Sequence, residues 1–186
     1  MSYQLARRWF TANEYNRMVE VGILTEDDRV ELIDGEIVAR SPIGSRHAAC
    51  VNRLNMLLSR QVGQAFIVSV QNPIILSDYS EPEPDLAILR WRKDYYEQEL
   101  PQPADVIIVI EVADTSVEID RNVKLPLYAK AEISVAVLVD VTKESVEVHS
   151  QPANGKYQSV EIFGRGDLFQ LDSFPLLNLK VDDILG

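Results

Sequence analysis

The sequence predicts an α/β (α+β) fold: a mixed central β-sheet flanked by helices, with an N-terminal hairpin and further strands toward the C-terminus. Three observations lead there. Val106-Ile107-Ile108-Val109-Ile110 is apolar at every position, as a central strand covered on both faces must be. Asp34-Gly35 separates Val30–Ile33 from Glu36–Ala39, a strong hairpin signal. Helical and strand-like segments follow one another over 186 residues with no repeat, low-complexity tract or linker, so one domain over 1–186 is expected.

Each element has its local reason. Thr11-Ala12-Asn13-Glu14 reads as a capping box opening a helix through Val21, with Tyr15, Met18 and Val19 as its apolar stripe. In the hairpin, Glu31 stands two residues from Ile33 and should share its face. Ser45 is placed to cap a second helix running to Val62, whose core stripe is Val51, Leu54, Leu58 and Val62. Phe66–Val70 and Pro73–Leu76 read as strands, Ser77–Pro84 as a polar loop, and Asp85–Leu89 as a short buried strand. Val106–Ile110 is the central strand. A third helix is expected over Asp120–Ala131, starting late or bending because of Pro126. Val135–Val139, Val146–His149 and Tyr157–Ile162 follow as strands, with Asn154-Gly155 marking a hairpin turn. Val181–Leu185 suits a short terminal helix.

Composition narrows the function classes. No aliphatic run approaches the length of a membrane span, and Met1–Phe10 has no apolar segment behind Arg7 and Arg8. The single cysteine, Cys50, excludes an internal disulfide and a thiolate metal cluster. Its neighbours Ala48, Ala49 and Val51 suit a small buried hydrophobe. A cytoplasmic protein is expected. The net charge of −11 counts against strong nonspecific binding of nucleic acid, although a local basic patch or a bound cation can reverse that locally.

Two carboxylates adjoin dry strands. Asp85 stands in Pro82-Glu83-Pro84-Asp85-Leu86-Ala87-Ile88, and Glu111 ends Val106–Val112 just short of its last residue. A charge beside an apolar sheet is costly unless paired. Two hard oxygen ligands suit Mg²⁺ or Mn²⁺, and the Val112 backbone carbonyl is a third candidate ligand. Asp120, Lys124 and Tyr128 recur at a spacing of four and share one helix face. Turned toward Glu111, Lys124 would orient or deprotonate an attacking water, or stabilise charge on a phosphoryl group. The competing reading is a simple Glu111–Lys124 ion pair.

His47 falls in the first turn of the second helix, where an anion is favoured. It is a candidate phosphate ligand or supporting acid, and equally an ordinary half-buried histidine. His149 reads as structural. Arg90-Trp91-Arg92-Lys93 with Tyr95-Tyr96 has the composition of a nucleic-acid grip, or of a strand end whose aromatics cover the core. Gly164-Arg165-Gly166-Asp167 reads as a turn.

Several of these segments together resemble the PD-(D/E)XK nuclease superfamily. In order they are Val30-Glu31-Leu32-Ile33-Asp34-Gly35-Glu36, Ser45-Arg46-His47, Glu83-Pro84-Asp85-Leu86-Ala87, Glu111-Val112, Asp120, Lys124, Tyr128 and Val137-Leu138-Val139-Asp140. The set is most similar to the Uma-two family of restriction-endonuclease-like proteins. The resemblance implies a restriction-endonuclease-like core and a metal-dependent phosphodiesterase site. Asp85 and Glu111 would be metal ligands, Glu31 the acid from the N-terminal region, and Lys124 the catalytic lysine, with His47, Asp120 and Tyr128 in support. The superfamily lysine two residues after the acid is Ala113 here, and Lys124 on the following helix fits its role. The implied activity is a Mg²⁺- or Mn²⁺-dependent endonuclease acting on nucleic acid, DNA first, with pairing into a homodimer. The alternatives are a non-catalytic interaction or regulatory module on the same fold and a hydrolase of small phosphate esters.

Overall fold

The structure is a computed structural model and describes residues 7–171 and 174–186, so the reading of Met1–Phe10 falls mostly outside it. Six strands form the central sheet in the order β3 (Phe66–Val70), β4 (Leu86–Arg90), β5 (Val106–Ala113), β6 (Val135–Asp140), β7 (Ser145–Ala153), β8 (Lys156–Gly164). All neighbours are antiparallel except β5 and β6. That parallel pair needs a crossover, and a helical segment over 117–130 supplies it. The sheet is therefore mixed, as the sequence predicts.

Helices and smaller sheets cover the two faces. Strand periodicity sends Ile108, Ile110 and Val112 of β5 to one side, where they meet α2 (Ser45–Val62) and α5 (Val181–Leu185). Val109 and Ala113 point to the other side, against Leu125, Leu127 and Tyr128 of α4 (Leu125–Lys130). Glu111, between Val109 and Ala113 in the alternation, must face the same side as they do. The hairpin β1 (Val30–Ile33) and β2 (Glu36–Ala39) turns at Asp34-Gly35 and packs on α1 (Ala12–Glu20). It is tied to the loop before β4 by the Leu32–Glu81 bridge, in which Glu81 N donates to Leu32 O at 2.8 Å. β9 (Leu168–Leu171) and β10 (Phe174–Lys180) form a separate antiparallel pair whose apolar residues join the α2 side.

The capping box of α1 is present, with Thr11 and Glu14 exchanging hydrogen bonds. Cys50 is buried, and so is the whole stripe Val51, Leu54, Leu58 and Val62. Asn154-Gly155 turns β7 into β8, and Asp167 closes the predicted Gly164–Asp167 turn by accepting from Gly164 N at 2.8 Å.

Several expectations are corrected. Pro73–Leu76 is not a strand: its amides bond to loop carbonyls, Ile74 N to Pro82 O and Ile75 N to Pro101 O, both at 3.0 Å. Those partners satisfy the backbone without a ladder, and Pro73 has no N–H to give one. Gly44, not Ser45, occupies the cap position of α2, with no side-chain cap. Val19 is exposed, because only Tyr15 and its neighbours on α1 reach the hairpin. Glu111 lies inside β5, which continues to Ala113. The crossover helix starts at Val117 and contains a π-turn over Asp120–Lys124, closed by Leu125 N–H on Asp120 O. Pro126 explains the widening, since in a regular helix its ring would crowd the carbonyl of Asn122.

Candidate active site

At the rim of the sheet a cleft of about 160 Å³ is lined by Glu31, His47, Asp85, Glu111, Val112, Asp120 and Lys124. Five elements or loops, 93 residues apart at the extremes of sequence (Glu31 to Lys124), meet here. Glu31 comes from β1, His47 from the first turn of α2, and Asp85 from the residue before β4. Glu111 and Val112 come from β5, and Asp120 and Lys124 from the π-turn. The π-turn keeps Asp120 and Lys124 on the inward face; both are buried.

Lys124 is the electrostatic hub. Its ammonium lies 3.2 Å from Glu31 Oε2 and 3.3 Å from Glu111 Oε1. Burial alone would lower its pKa, but Glu111, Glu31 and Asp120 together raise it, so Lys124 stays charged. Glu111 is fully buried. Burial pushes its carboxyl up to about 8 against the opposing pull of Lys124, with Asp85 and Asp120 adding repulsion. Tyr128 is buried and donates its hydroxyl to Glu111 Oε1 at 2.5 Å. Asp120 is also raised by burial, although Ser116 Oγ donates to its Oδ2 at 2.6 Å.

Asp85 is held differently. Burial raises its pKa, yet hydrogen bonds outweigh burial and leave it below its ordinary value. His47 Nε2 lies 3.0 Å from Oδ2, Val112 N donates to the same oxygen at 2.9 Å, and Gln71 Nε2 donates to Oδ1 at 3.2 Å. Glu31 Oε2 accepts from Glu83 N at 3.1 Å, which fixes the acid of the hairpin to the loop before β4. The second ring nitrogen of His47, Nδ1, is buried without a partner among the described residues.

Among the described residues no three His, Cys, Asp or Glu side chains gather around one point as a closed metal cage. The donor chemistry still fits a hard divalent ion of the Mg²⁺ type, which binds through one or two carboxylates and keeps several waters. Asp85 and Glu111 would be the two carboxylates, and the Val112 carbonyl leaves the strand on the same side as the N–H that meets Asp85.

The structure brings together every site residue the sequence predicts. It excludes one other candidate: Arg90–Tyr96 begins at the far end of β4 from Asp85, about 17 Å away at ~3.3 Å per strand residue. There Arg92 pairs with Asp94 at 2.7 Å and lies over the Tyr96 ring, while Trp91 and Tyr95 are exposed. His149 is structural as read, 3.0 Å from Glu147 on β7. Arg29, Arg40 and Ser116 line the cleft and Gln71 braces Asp85, yet sequence reasoning missed them. Only Arg29, directly before the Glu31 motif, was within reach of a local signal.

Acids from a hairpin and two adjacent strands, gathered around a lysine on the crossover helix of a mixed sheet, define a restriction-endonuclease-like protein. The profile of the Uma2 family, described as "Putative restriction endonuclease", matches residues 12–182, and the chain belongs to that family. A solved structure from Anabaena variabilis, described as a putative nuclease belonging to DUF820, shares the fold. It has a TM-score of 0.72 and 18% identity, covering 95% of this chain and 97% of that one. No curated protein matches the chain. No helix among the described residues is long and apolar enough to cross a membrane.

Proposed function

We propose that this chain is a Mg²⁺- or Mn²⁺-dependent endonuclease that hydrolyses phosphodiester bonds of DNA. The observation that carries the reading is the convergence of Glu31, Asp85, Glu111 and Lys124 in one cleft. Asp85, Glu111 and the Val112 carbonyl would hold the ion, which supplies a nucleophile at neutral pH and neutralises charge on the phosphoryl group. The chain's own residues do the rest. Lys124, kept charged, orients the water and stabilises the negative oxygens of the transition state; it does not act as a base. His47, Val112 N–H and Gln71 fix the rotamer of Asp85 and keep it ionised. Glu31 and Glu111 together hold the Lys124 ammonium, and Tyr128 fixes the Glu111 rotamer. Asp120 adds negative potential that favours a cation. The uncapped first turn of α2, at Gly44, adds partial positive charge beside the cleft.

The free, buried thiol of Cys50 suits the reducing cytoplasm, and two copies would let two clefts address the two strands of a duplex. The test is cleavage of plasmid and of single-stranded DNA in Mg²⁺ and Mn²⁺. The wild type is expected to cut, and Asp85→Ala and Glu111→Ala to be inert, a loss of at least ~10²-fold. Equal inertness of all three across metals and salt would overturn the reading and leave the non-catalytic module in its place. Turnover of a generic phosphodiester without any DNA cleavage would favour the small-ester hydrolase.

A further inference from the structure

The cleft is small for the substrate it is proposed to cut. Its volume is about 160 Å³, against about 610 Å³ for the cavity beside it. A phosphate held in the cleft leaves its sugar and base to lie against the surface at the cleft's open mouth.

A second cavity, of about 610 Å³, adjoins the first across Arg29, Arg40 and Ile43, which line both. Its size falls within the range of small-molecule sites, and its walls are of two kinds. Tyr15, Val19 and Leu24 supply apolar surface, while Asn16 and Gln71 carry amide groups of the kind that pair with base edges, above the buried Glu81. Asn16 Nδ2 donates to Glu81 Oε2 at 2.8 Å, so these groups are held in place rather than loose.

The two cavities are mechanically linked. Gln71 lines the second cavity, donates to Asp85 Oδ1 at 3.2 Å, and bonds through its backbone N–H to Asp85 O at 3.1 Å. Gln71 and Arg29 both adopt left-handed backbone conformations, with φ of 51° and 44°. At the junction the two arginines differ. Arg40 pairs with Glu83, but no carboxylate among the described residues lies within ion-pair distance of the Arg29 guanidinium.

We propose that the second cavity is a nucleoside subsite. It takes the sugar and base next to the phosphate in the cleft, and Arg29 holds the phosphate at the junction. The identity of the group in the cleft rests on the nuclease reading. A base stacked in a duplex cannot enter such a cavity without leaving the stack, so the favoured ligand is single-stranded or locally opened nucleic acid.

The test measures binding apart from cleavage. Fluorescence anisotropy would follow a 5′-fluorescein 12-nucleotide strand, as DNA and as RNA of one sequence, and the corresponding DNA duplex. The protein carries Glu111→Gln with Mg²⁺ present, so that bound strands are not consumed. Tighter binding of either single strand than of the duplex, by fivefold or more, is expected. Adding Val19→Trp, at an exposed position of α1 where the ring reaches into the cavity, should weaken single-strand binding about tenfold. Arg29→Ala should do the same and lower the slope of log Kd against log salt by ~0.7, the contribution of one phosphate contact to a single strand. Arg29→Lys should recover most of the affinity, which separates a charge contact from a folding defect, and melting temperatures check folding directly. Trp91→Ala, at the far end of β4, should bind like the parent.

Unchanged affinity in folded Val19→Trp and Arg29→Ala overturns the subsite, as does preference for the duplex or no binding by the parent. Cleavage by the chain without Glu111→Gln reports separately on the nuclease reading. If it cuts nothing while both variants lose single-strand binding, the subsite stands and the nuclease reading falls.

Discussion

Two charge clusters flank the crossover helix, one built on the half-buried Arg121 and one on the buried Lys124, and they are balanced differently. On one face Arg121 Nη2 meets Glu147 Oε1 at 2.6 Å, and His149 Nε2 lies 3.0 Å from Glu147 Oε2. Burial raises the Glu147 carboxyl, but these contacts outweigh it and leave the group below its ordinary pKa. On the other face the single ammonium of Lys124 faces Glu31, Glu111 and Asp120, and Glu111 remains well above its ordinary pKa. The contacts of Glu147 outweigh its burial; those of Glu111 with Lys124 and Tyr128 do not. Burying carboxylates short of protein cations costs stability, and that imbalance supports the proposed cation site over a purely structural ion pair.

The largest expected effect breaks the hub. Lys124→Met removes the one cation among three acids while keeping its packing volume. Breaking a buried pair from one side costs about 3–5 kcal/mol. Urea denaturation at pH 7 without divalent ions should show a loss of that size, and DNA hydrolysis should fall at least ~10²-fold. Saturating Mg²⁺ should restore part of the stability, because an ion replaces the missing charge. Arg121→Met should cost less, about 1–3 kcal/mol, and leave hydrolysis within about twofold. Equal stability costs with no Mg²⁺ rescue would remove the distinction between the clusters.

A pH series sharpens the contrast, because the two carboxylates are linked to stability with opposite signs. Unfolded, Glu111 titrates near ~4.3. Folded, it titrates at about 8, so between these values the folded protein holds the extra proton and rising pH removes stability. Glu147 has a depressed folded pKa; its contribution is present above ~4.3 and is lost as pH falls through the folded value. His149, also depressed by burial, adds a loss as pH drops below ~6.5, where the unfolded chain takes a proton the folded one resists. Lys124 titrates above this range and does not interfere. In EDTA, Glu111→Gln should flatten the decline in denaturation midpoint between pH 5 and 8. Glu147→Gln should instead remove part of the loss on the acid side. A Glu111→Gln profile parallel to wild type would show that Glu111 is already satisfied.

The same contrast explains what the sequence could show. Asp85 and Glu111 were legible because a charge next to a run such as Val106–Ile110 has no folding reason to be there. Lys124 and Asp120 were legible from spacing, and the π-turn that shifted the helix left them on the same face. Asp34-Gly35 identified the hairpin that carries Glu31. Arg40 and Gln71 were not legible, since loop residues have no periodicity and their placement depends on packing the hairpin against the segment before β4; Arg29 had only its nearness to the Glu31 motif to mark it. Arg90–Tyr96 misled for the opposite reason: its composition is dense, but the length of β4 puts it out of reach. Nothing in the sequence singles out Glu147, because its partner Arg121 is 26 residues away on another element.

The smallest expected effect tests whether geometry or charge alone satisfies Glu147. Arg121 reaches it through two nitrogens, Nη2 at 2.6 Å and Nε at a longer 3.4 Å, while Nη1 lies 3.3 Å from Glu118. Lysine keeps the charge but offers a single point in place of the fork. Arg121→Lys should therefore cost only about 0.5–1.5 kcal/mol, one hydrogen bond's worth, with hydrolysis unchanged within about twofold. The Glu147 carboxyl, followed by NMR titration, should rise toward its ordinary value as the second contact is lost. If its titration does not move, charge alone accounts for the satisfied cluster. The difference from Lys124, which already presents a single ammonium to several acids, then lies entirely in the number of carboxylates and not in the shape of the cation.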